Sequence, residues 1–325
     1  MSSPVQAMSA LSDTKASVDV SIVCAVYNEG HSVDLLLDRL QEVLPPLGLS
    51  FELVFVDDGS KDDTLNRLKR HLGTCPGLRV VELSRNFGQV SALSAGLTVA
   101  VGRWVVIMDG DLQCDPGDIP ILLEASRRGH DLVATYRVRR YEGIRRKVIT
   151  WVGNRINRYL TGLDILDFGS VFRVIDTRII DELKDWQGHV HYNTPMLYAC
   201  AKNVVQLPIT QHQRVLGKSK WTFAMFLSYN LDFMTASSRL TELFLGLSFV
   251  GILAGFTLYT LKLLHIFENV EAVSAPAYIF LSSLQLALLG VIWREVIQSQ
   301  KFAKGAPPFV IRAVWWDNEA PADVN

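Results

Sequence analysis

The sequence has no Cys-x-x-Cys pair and no Cys/His spacing of a zinc site. A zinc ribbon or finger is therefore excluded, and Cys24, Cys75, Cys114 and Cys200 are left as reduced thiols. No Gly-x-Gly-x-x-Gly follows the first strand candidate, which argues against a dinucleotide-binding domain. Residues 1–18 have Lys15 as their only base and no apolar core. They are expected to form a disordered leader, neither a signal peptide nor a membrane span.

Acids are almost missing from 137–158, where Arg137, Arg139, Arg140, Arg145, Arg146, Lys147, Arg155 and Arg158 are accompanied only by Glu142. The formal net charge of the 325 residues is −1, so this is a local imbalance. Such a segment is either a solvated helical face or a surface for phosphates or an anionic membrane. Charge of either sign is missing from Leu243–Leu261, 19 residues, and from Ala272–Trp293, 22 residues. Each run matches the roughly 20 residues that cross a bilayer as a helix. Glu268 and Glu271 lie between the runs, whereas Arg239 precedes them and Arg294, Lys301, Lys304 and Arg312 follow. The positive-inside bias then puts both outer ends in the cytoplasm. Upstream, Phe223, Phe226, Leu227, Leu231 and Met234 recur at helical spacing, which fits a helix lying in the interface plane. The expectation is a two-helix hairpin tethering a cytosolic domain.

In the first two thirds of the chain, apolar runs of strand length alternate with helical patterns. Val18–Val26, Phe51–Val56, Arg79–Leu83, Trp104–Met108 and Asp131–Tyr136 are strand candidates. His31–Leu44, the segment around Leu65, Leu68 and Leu72, and Gln89–Val101 are helix candidates between them. The alternation predicts an α/β domain with a mainly parallel sheet and ligands at the carboxyl ends of its strands.

Three of those ends are acidic. The first strand runs into Tyr27-Asn28-Glu29-Gly30, the second into Asp57-Asp58-Gly59-Ser60, and the fourth into Asp109-Gly110-Asp111-Leu112-Gln113. In an extended segment Asp109 and Asp111 point the same way. They can share one divalent cation, with Gln113 as a third oxygen donor. Taken singly, each motif is equally well explained as turn chemistry. Their order and spacing together are more specific.

With these motifs, from about Val20 to Trp221, the chain resembles the inverting glycosyltransferases of family 2 and their GT-A fold. Ser84-Arg85-Asn86-Phe87-Gly88-Gln89 is similar to the family's loop before its third helix. The resemblance implies Tyr27, Glu29, Asp58, Gly88 and Asp109 at a nucleotide sugar, and Asp109, Asp111 and Gln113 around Mg²⁺ or Mn²⁺ and the diphosphate. The hairpin narrows it to the polyprenyl-phosphate glycosyltransferases, a group that includes dolichol-phosphate mannose synthase. Asp167-Phe168-Gly169-Ser170-Val171-Phe172-Arg173 and the basic loop Arg214–Trp221 also resemble segments of that group. By this resemblance Asp111, Asp167 and Arg173 are catalytic candidates, and Arg137, Arg145, Arg146, Arg173, Arg214 and Lys218 are candidates for the phosphates and the acceptor. Asp167 is read either as an orienter of arginines, as a sugar contact, or as a turn residue.

The implied activity is inverting transfer of a sugar, from a UDP-linked hexose or amino sugar, to undecaprenyl or dolichyl phosphate at the inner membrane. No nucleic-acid partner is implied, and the anchor's helix faces suit a dimer or tetramer. The implied organisation is a leader 1–18, a cytosolic GT-A domain 19–221, a juxtamembrane amphipathic helix 222–239, transmembrane helices 240–267 and 272–293, and a cytosolic C-terminal tail 294–325. Two departures stand out. Ala25 replaces the proline common before Tyr-Asn-Glu, and Gly110 replaces the alanine of Asp-Ala-Asp, which is expected to loosen the metal loop. Gln211-His212-Gln213-Arg214-Val215 matches all but the tryptophan of a motif of processive polysaccharide synthases. That activity and a catalytically silent membrane scaffold remain as alternatives.

Overall fold

The computed structural model describes residues 18–139, 144–187, 192, 194–212, 308–316 and 322–323, with scattered positions between 250 and 296. Two compact units divide the chain: Met1–Arg158, Leu163–Trp221 and Pro308–Asn325 form one, and Tyr159–Gly162 with Thr222–Pro307 form the other. Among the described residues no helix is long and apolar enough to cross a membrane. Apart from scattered positions, the expected juxtamembrane helix and both expected spans lie outside the described residues.

The strands are β1 (Val20–Val26), β2 (Phe51–Asp57), β3 (Leu78–Leu83), β4 (Trp104–Asp109), β5 (Leu132–Arg139), β6 (Arg173–Asp176), β7 (Val204–Thr210), β8 (Ile311–Trp316) and β9 (Ala322–Asp323). The helices are α1 (Val33–Val43), α2 (Thr64–Arg70), α3 (Gln89–Val99), α4 (Ile119–Arg127), α5 (Ile144–Thr161), α6 (Thr177–Gln187) and α7 (Thr194–Cys200). One sheet takes up all described strands in the order β7-β5-β6-β4-β1-β2-β3-β8-β9.

Alternate side chains of the central strands feed two cores, one on each face. Ile22, Cys24, Leu53, Phe55, Val106 and Met108 pack with Leu36, Leu37 and Leu40 of α1 and Leu122 and Leu123 of α4. Val23, Val54, Val56, Val105 and Ile107 pack on the other face with Leu93 and Leu97 of α3 and Ile179 and Leu183 of α6. Strands buried on both faces have to be apolar throughout, which is why the central ones are legible as uninterrupted runs. A short helical turn at Pro45–Leu47 and Gly48, at φ 63°, follow α1 before the chain returns to the sheet.

The expectation of a mainly parallel sheet holds at the centre, where β4, β1, β2 and β3 run parallel. It fails at the flanks, because β6 is antiparallel to both β4 and β5, and β8 is antiparallel to β3. Residues 311–316, expected within a C-terminal tail, are thus a strand of the same sheet. Arg312 reaches Glu82, 230 positions earlier, at 3.2 Å, and Lys69 lies 3.8 Å over the Trp315 ring. The run Phe309–Trp316 is rich in β-branched and aromatic residues, a local strand signal, but its partner is supplied by the fold.

Candidate active site

The three acidic motifs lie on neighbouring parallel strands, β4-β1-β2, so their carboxyl ends share one edge. Strand order reverses direction at β1, and such a reversal opens a crevice for ligands. The loops there are stitched to each other. Asn28, at φ 53°, donates its N–H to Ser60 Oγ at 2.9 Å and accepts from Lys61 N–H at 2.7 Å. Glu29 donates its N–H to Thr64 Oγ1 at 2.9 Å, and its carboxylate accepts from Ser32 Oγ at 3.3 Å. Burial pushes the Cys24 thiol well up, and the charges of Asp109, Asp111 and Glu29 push it further. Glu29 and the Asp109/Asp111 pair therefore act on one buried thiol.

Asp109 Oδ1 accepts from Gln89 Nε2 at 2.7 Å, and Gln89 is the first residue of α3. The N-terminus of that helix, preceded by Gly88 at φ 93°, thereby borders the acidic pair. A helix start with free N–H groups is suited to phosphate. Asp111 accepts from Gln113 N–H at 3.1 Å and from Gln113 Nε2 at 2.7 Å. Gln113 Oε1 in turn accepts from Gln211 Nε2, and Gln113 O accepts from His212 N–H at 2.9 Å. Both glutamines beyond the motif, Gln89 and Gln211, brace the pair. The sequence places them in similar-looking segments but gives neither a task, because the contacts span 20 and 98 positions.

A Cβ on Gly110 would sit 2.6 Å from Val26 Cγ1. The glycine lets the loop pack closely against β1. Gly59, at φ 65°, has a parallel duty: a Cβ there would lie 2.6 Å from the Arg85 carbonyl carbon.

Asp58, expected at the nucleotide, is buried. Its oxygens accept from Phe87 N–H at 2.7 Å, Gly88 N–H at 2.9 Å and Asn86 Nδ2 at 3.0 Å. Burial pushes its carboxyl up from 3.8 to about 6, while the Phe87 and Gly88 N–H groups pull the other way. Between about pH 4 and pH 6 the native state holds this proton and the unfolded chain does not. The stability contributed is therefore full below about pH 4 and lost as pH rises through about 6. Asp58→Asn is expected to flatten that decline in thermal unfolding measured against pH. An unaltered profile would rule out Asp58 as its source.

Buried Asp167 and partly buried Arg137 meet as a pair: Arg137 Nε lies 2.7 Å from Asp167 Oδ2, and Nη2 lies 3.0 Å from Oδ1. Asp167 Oδ1 also accepts from Gly169 N–H at 3.1 Å, so the structure carries both the arginine pairing and the turn contact. Burial pushes the Cys114 thiol up; Asp109 and Asp111 add to that shift and Arg137 opposes it. Arg173 is also buried, and its guanidinium donates to Ser170 O, to Thr194 Oγ1 at 3.1 Å and to Val171 O at 3.2 Å. It forms no ion pair with a carboxylate among the described residues. Tyr27 is half-buried beside these loops. Arg145 and Arg146 fall in the first turn of α5, with side chains outside the described residues, and Arg214 and Lys218 lie wholly outside them.

Comparison with known proteins agrees with this arrangement. Dodecaprenyl-phosphate galacturonate synthase of Rhizobium johnstonii is 30% identical over 336 residues, 98% of this chain and 99% of that protein. Undecaprenyl-phosphate 4-deoxy-4-formamido-L-arabinose transferase of Klebsiella pneumoniae is 29% identical over 306 residues, 91% of this chain and 93% of that protein. Among solved structures, glucosyl-3-phosphoglycerate synthase from Mycobacterium tuberculosis in complex with UDP matches with a TM-score of 0.49 and 20% identity. That match covers 70% of this chain and 83% of the other, and it is too distant to argue from. The family model "Glycosyl transferase family 2" matches residues 21–184, the span that holds all three acidic strand ends and the Arg137–Asp167 pair, and the chain belongs to that family.

Proposed function

We propose that this chain transfers a sugar from a nucleotide sugar, a uridine-linked hexose or amino sugar, to polyprenyl phosphate with inversion at the anomeric carbon. One observation carries the reading: the Asp109–Asp111 end of β4 and Arg137 near the end of β5 lie at the same edge of the sheet, since both strands run antiparallel to β6 and Ile107 and Ala134 both pair with its Arg173. An acidic pair that can hold a cation, beside a fixed guanidinium, suits a reaction between two phosphate-bearing substrates. The two relatives, named for dodecaprenyl and undecaprenyl phosphate, support this acceptor class.

Mg²⁺ or Mn²⁺ is the implied cofactor, and the donor chemistry fits it. Asp109 and Asp111 offer hard carboxylate oxygens. Among the described residues no three His, Cys, Asp or Glu side chains cluster as a metal site, and the Gln113 amide oxygen is the candidate for a third donor. Gln113 Oε1 accepts one hydrogen bond, from Gln211, and an amide oxygen has a second lone pair. When bound, such an ion neutralises charge on a departing diphosphate.

The chain's own residues do the rest. A lipid phosphate with a second pKa of about 6 is largely a dianion at neutral pH and needs no strong base. Its oxygen attacks the anomeric carbon, the bond from that carbon to the diphosphate oxygen breaks, and the nucleoside diphosphate leaves. Arg137, fixed by Asp167, orients the acceptor phosphate; Arg145, Arg146, Arg214 and Lys218 are the further candidates for that task. Buried Arg173 sets a positive charge beside β4, favouring anions at its end. Tyr27, Glu29 and Gly88 flank the nucleotide, and Asp58 shapes the loop that carries Gly88.

Membrane anchoring belongs to the same reading. β7 and β8 flank the apolar segment in sequence, and both lie in one sheet. The chain therefore leaves and re-enters on one side, which makes the number of crossings even, as an inner-membrane hairpin requires.

Full-length protein with Mn²⁺, undecaprenyl phosphate and a panel of UDP- and GDP-sugars is expected to yield one lipid-linked sugar. No such product from folded protein sinks the reading, and a long glycan would identify a processive synthase instead. UDP with Mn²⁺ is expected to raise the unfolding temperature; a shift with GDP alone overturns the choice of base.

A further inference from the structure

Gln113 turns its nitrogen, not its oxygen, to the acidic pair. Its Nε2 donates to Asp111 Oδ2 at 2.7 Å, while its Oε1 accepts from Gln211 Nε2. A carboxylate oxygen attracts an N–H and repels an amide oxygen, so this orientation satisfies Asp111 by itself. A divalent ion held by Asp111 reverses the preference, because Mg²⁺ and Mn²⁺ take oxygen ligands. The spacing already suits the exchange. Neighbouring ligands of an octahedral Mg²⁺, each about 2.1 Å from the ion, lie about 3 Å apart, close to the distance between Gln113 Nε2 and Asp111 Oδ2. A half-turn of the terminal amide exchanges N and O in place and leaves the backbone where it is.

That half-turn sends Gln113 Nε2 towards Gln211, which then has to accept where it now donates. An acceptor is in place. Gln211 is 7% exposed, and its Oε1 is buried without a hydrogen-bond partner among the described residues. Buried polar atoms are almost always paired, and a left-over acceptor at this position is the missing half of a second hydrogen-bond arrangement. The bond from His212 N–H to Gln113 O, at 2.9 Å, holds the two segments together in either arrangement. We propose that Gln211 is a positioning residue for the cation: its amide turns over together with that of Gln113, so that Gln113 offers Oε1 to an ion on Asp111 while its Nε2 donates to Gln211 Oε1. This rests on the cation reading given above, and the turn precedes any bond breaking at the sugar. It also reaches the acceptor side. Gln211 follows the last residue of β7, which pairs with β5 so that Ile209 lies opposite Arg137 and Thr210 opposite Arg139. Turning over puts Gln211 Nε2 in place of an unpaired oxygen beside that strand end, and an N–H attracts a phosphate that an amide oxygen repels. Cation and acceptor phosphate thereby favour each other, and by linkage the effect is reciprocal.

The full chain is titrated with Mn²⁺ in the presence of UDP, free Mn²⁺ being read from its electron paramagnetic resonance signal. A carboxylate at position 211 can accept but not donate. Gln211→Glu is therefore expected to bind Mn²⁺ about tenfold more tightly or better, the scale of one charge-assisted hydrogen bond. The added charge attracts the ion in any case, so the same substitution is made in a Gln113→Leu background, where no amide is left to turn. There the gain is expected to be about fivefold smaller or less; equal gains in the two backgrounds overturn the proposal. No Mn²⁺ binding by the unaltered chain with UDP overturns the cation reading itself. Gln211→Met buries no charge and supplies a second check should Gln211→Glu fail to fold. Affinity for farnesyl phosphate, a short polyprenyl phosphate, is measured by calorimetry with UDP alone and with UDP and Mn²⁺. Mn²⁺ is expected to raise it about tenfold in the unaltered chain and about threefold or less in Gln211→Met; an undiminished gain in Gln211→Met likewise overturns the proposal.

Discussion

Asp111→Asn is expected to lower turnover by roughly 10²- to 10³-fold or more, the scale of losing about 3–4 kcal/mol of electrostatic stabilisation of the transition state. The change removes one negative charge and almost no volume. Asp111 lies half-buried in a loop, and its oxygens accept from Gln113 N–H and Nε2 within that loop. Asn retains an acceptor for the N–H, so the expected loss of stability is about 1 kcal/mol or less. The variant should unfold at nearly the temperature of the unaltered chain and lose the additional stabilisation that Mn²⁺ gives in the presence of UDP. Near-normal turnover would refute the assignment of the acidic pair.

Arg137→Met is expected to cost about 3 kcal/mol of stability as well as activity, because it strands the Asp167 carboxylate in a buried position without its guanidinium. Asp167 keeps its contact with Gly169 N–H at 3.1 Å. The double variant Arg137→Met/Asp167→Leu removes the stranded charge together with its partner, and isosteric apolar pairs often replace buried ion pairs at little cost. It should therefore recover much of the lost stability and remain inactive if Arg137 orients the acceptor phosphate as proposed. A double variant that regains activity along with stability would show that the pair is structural alone. The coupling energy between the two sites, read from a thermodynamic cycle, separates these outcomes.

Both results bear on how charge is arranged at the site. The acidic pair and Arg137 are of opposite sign and lie at the same sheet edge, Asp109 ending β4 and Arg137 near the end of β5. Neither is free to rotate at will: Gln89 and Gln113 hold the carboxylates by amide hydrogen bonds, and Asp167 holds the guanidinium in a fork. Fixed dipoles and charges of this kind need little reorganisation during reaction.

Much of the fold could be read directly from residue pattern. The central strands are uninterrupted apolar runs because both faces are covered, and the acidic motifs follow those runs at once, so their position at the strand ends is a local property. The sequence by itself therefore determined the central sheet, its acidic edge and the family. It did not reveal β6, β7 or β8. β6 is four residues long and includes a buried arginine, β7 is largely half-buried, and β8 finds its partner 230 positions away. Tertiary structure alone decided that Asp58 faces the 86–88 loop, that Asp167 clamps Arg137, and that Gln211 braces Gln113. Each of these depends on which strands lie side by side and in what register, and such contacts leave no trace in the spacing of residues along the chain.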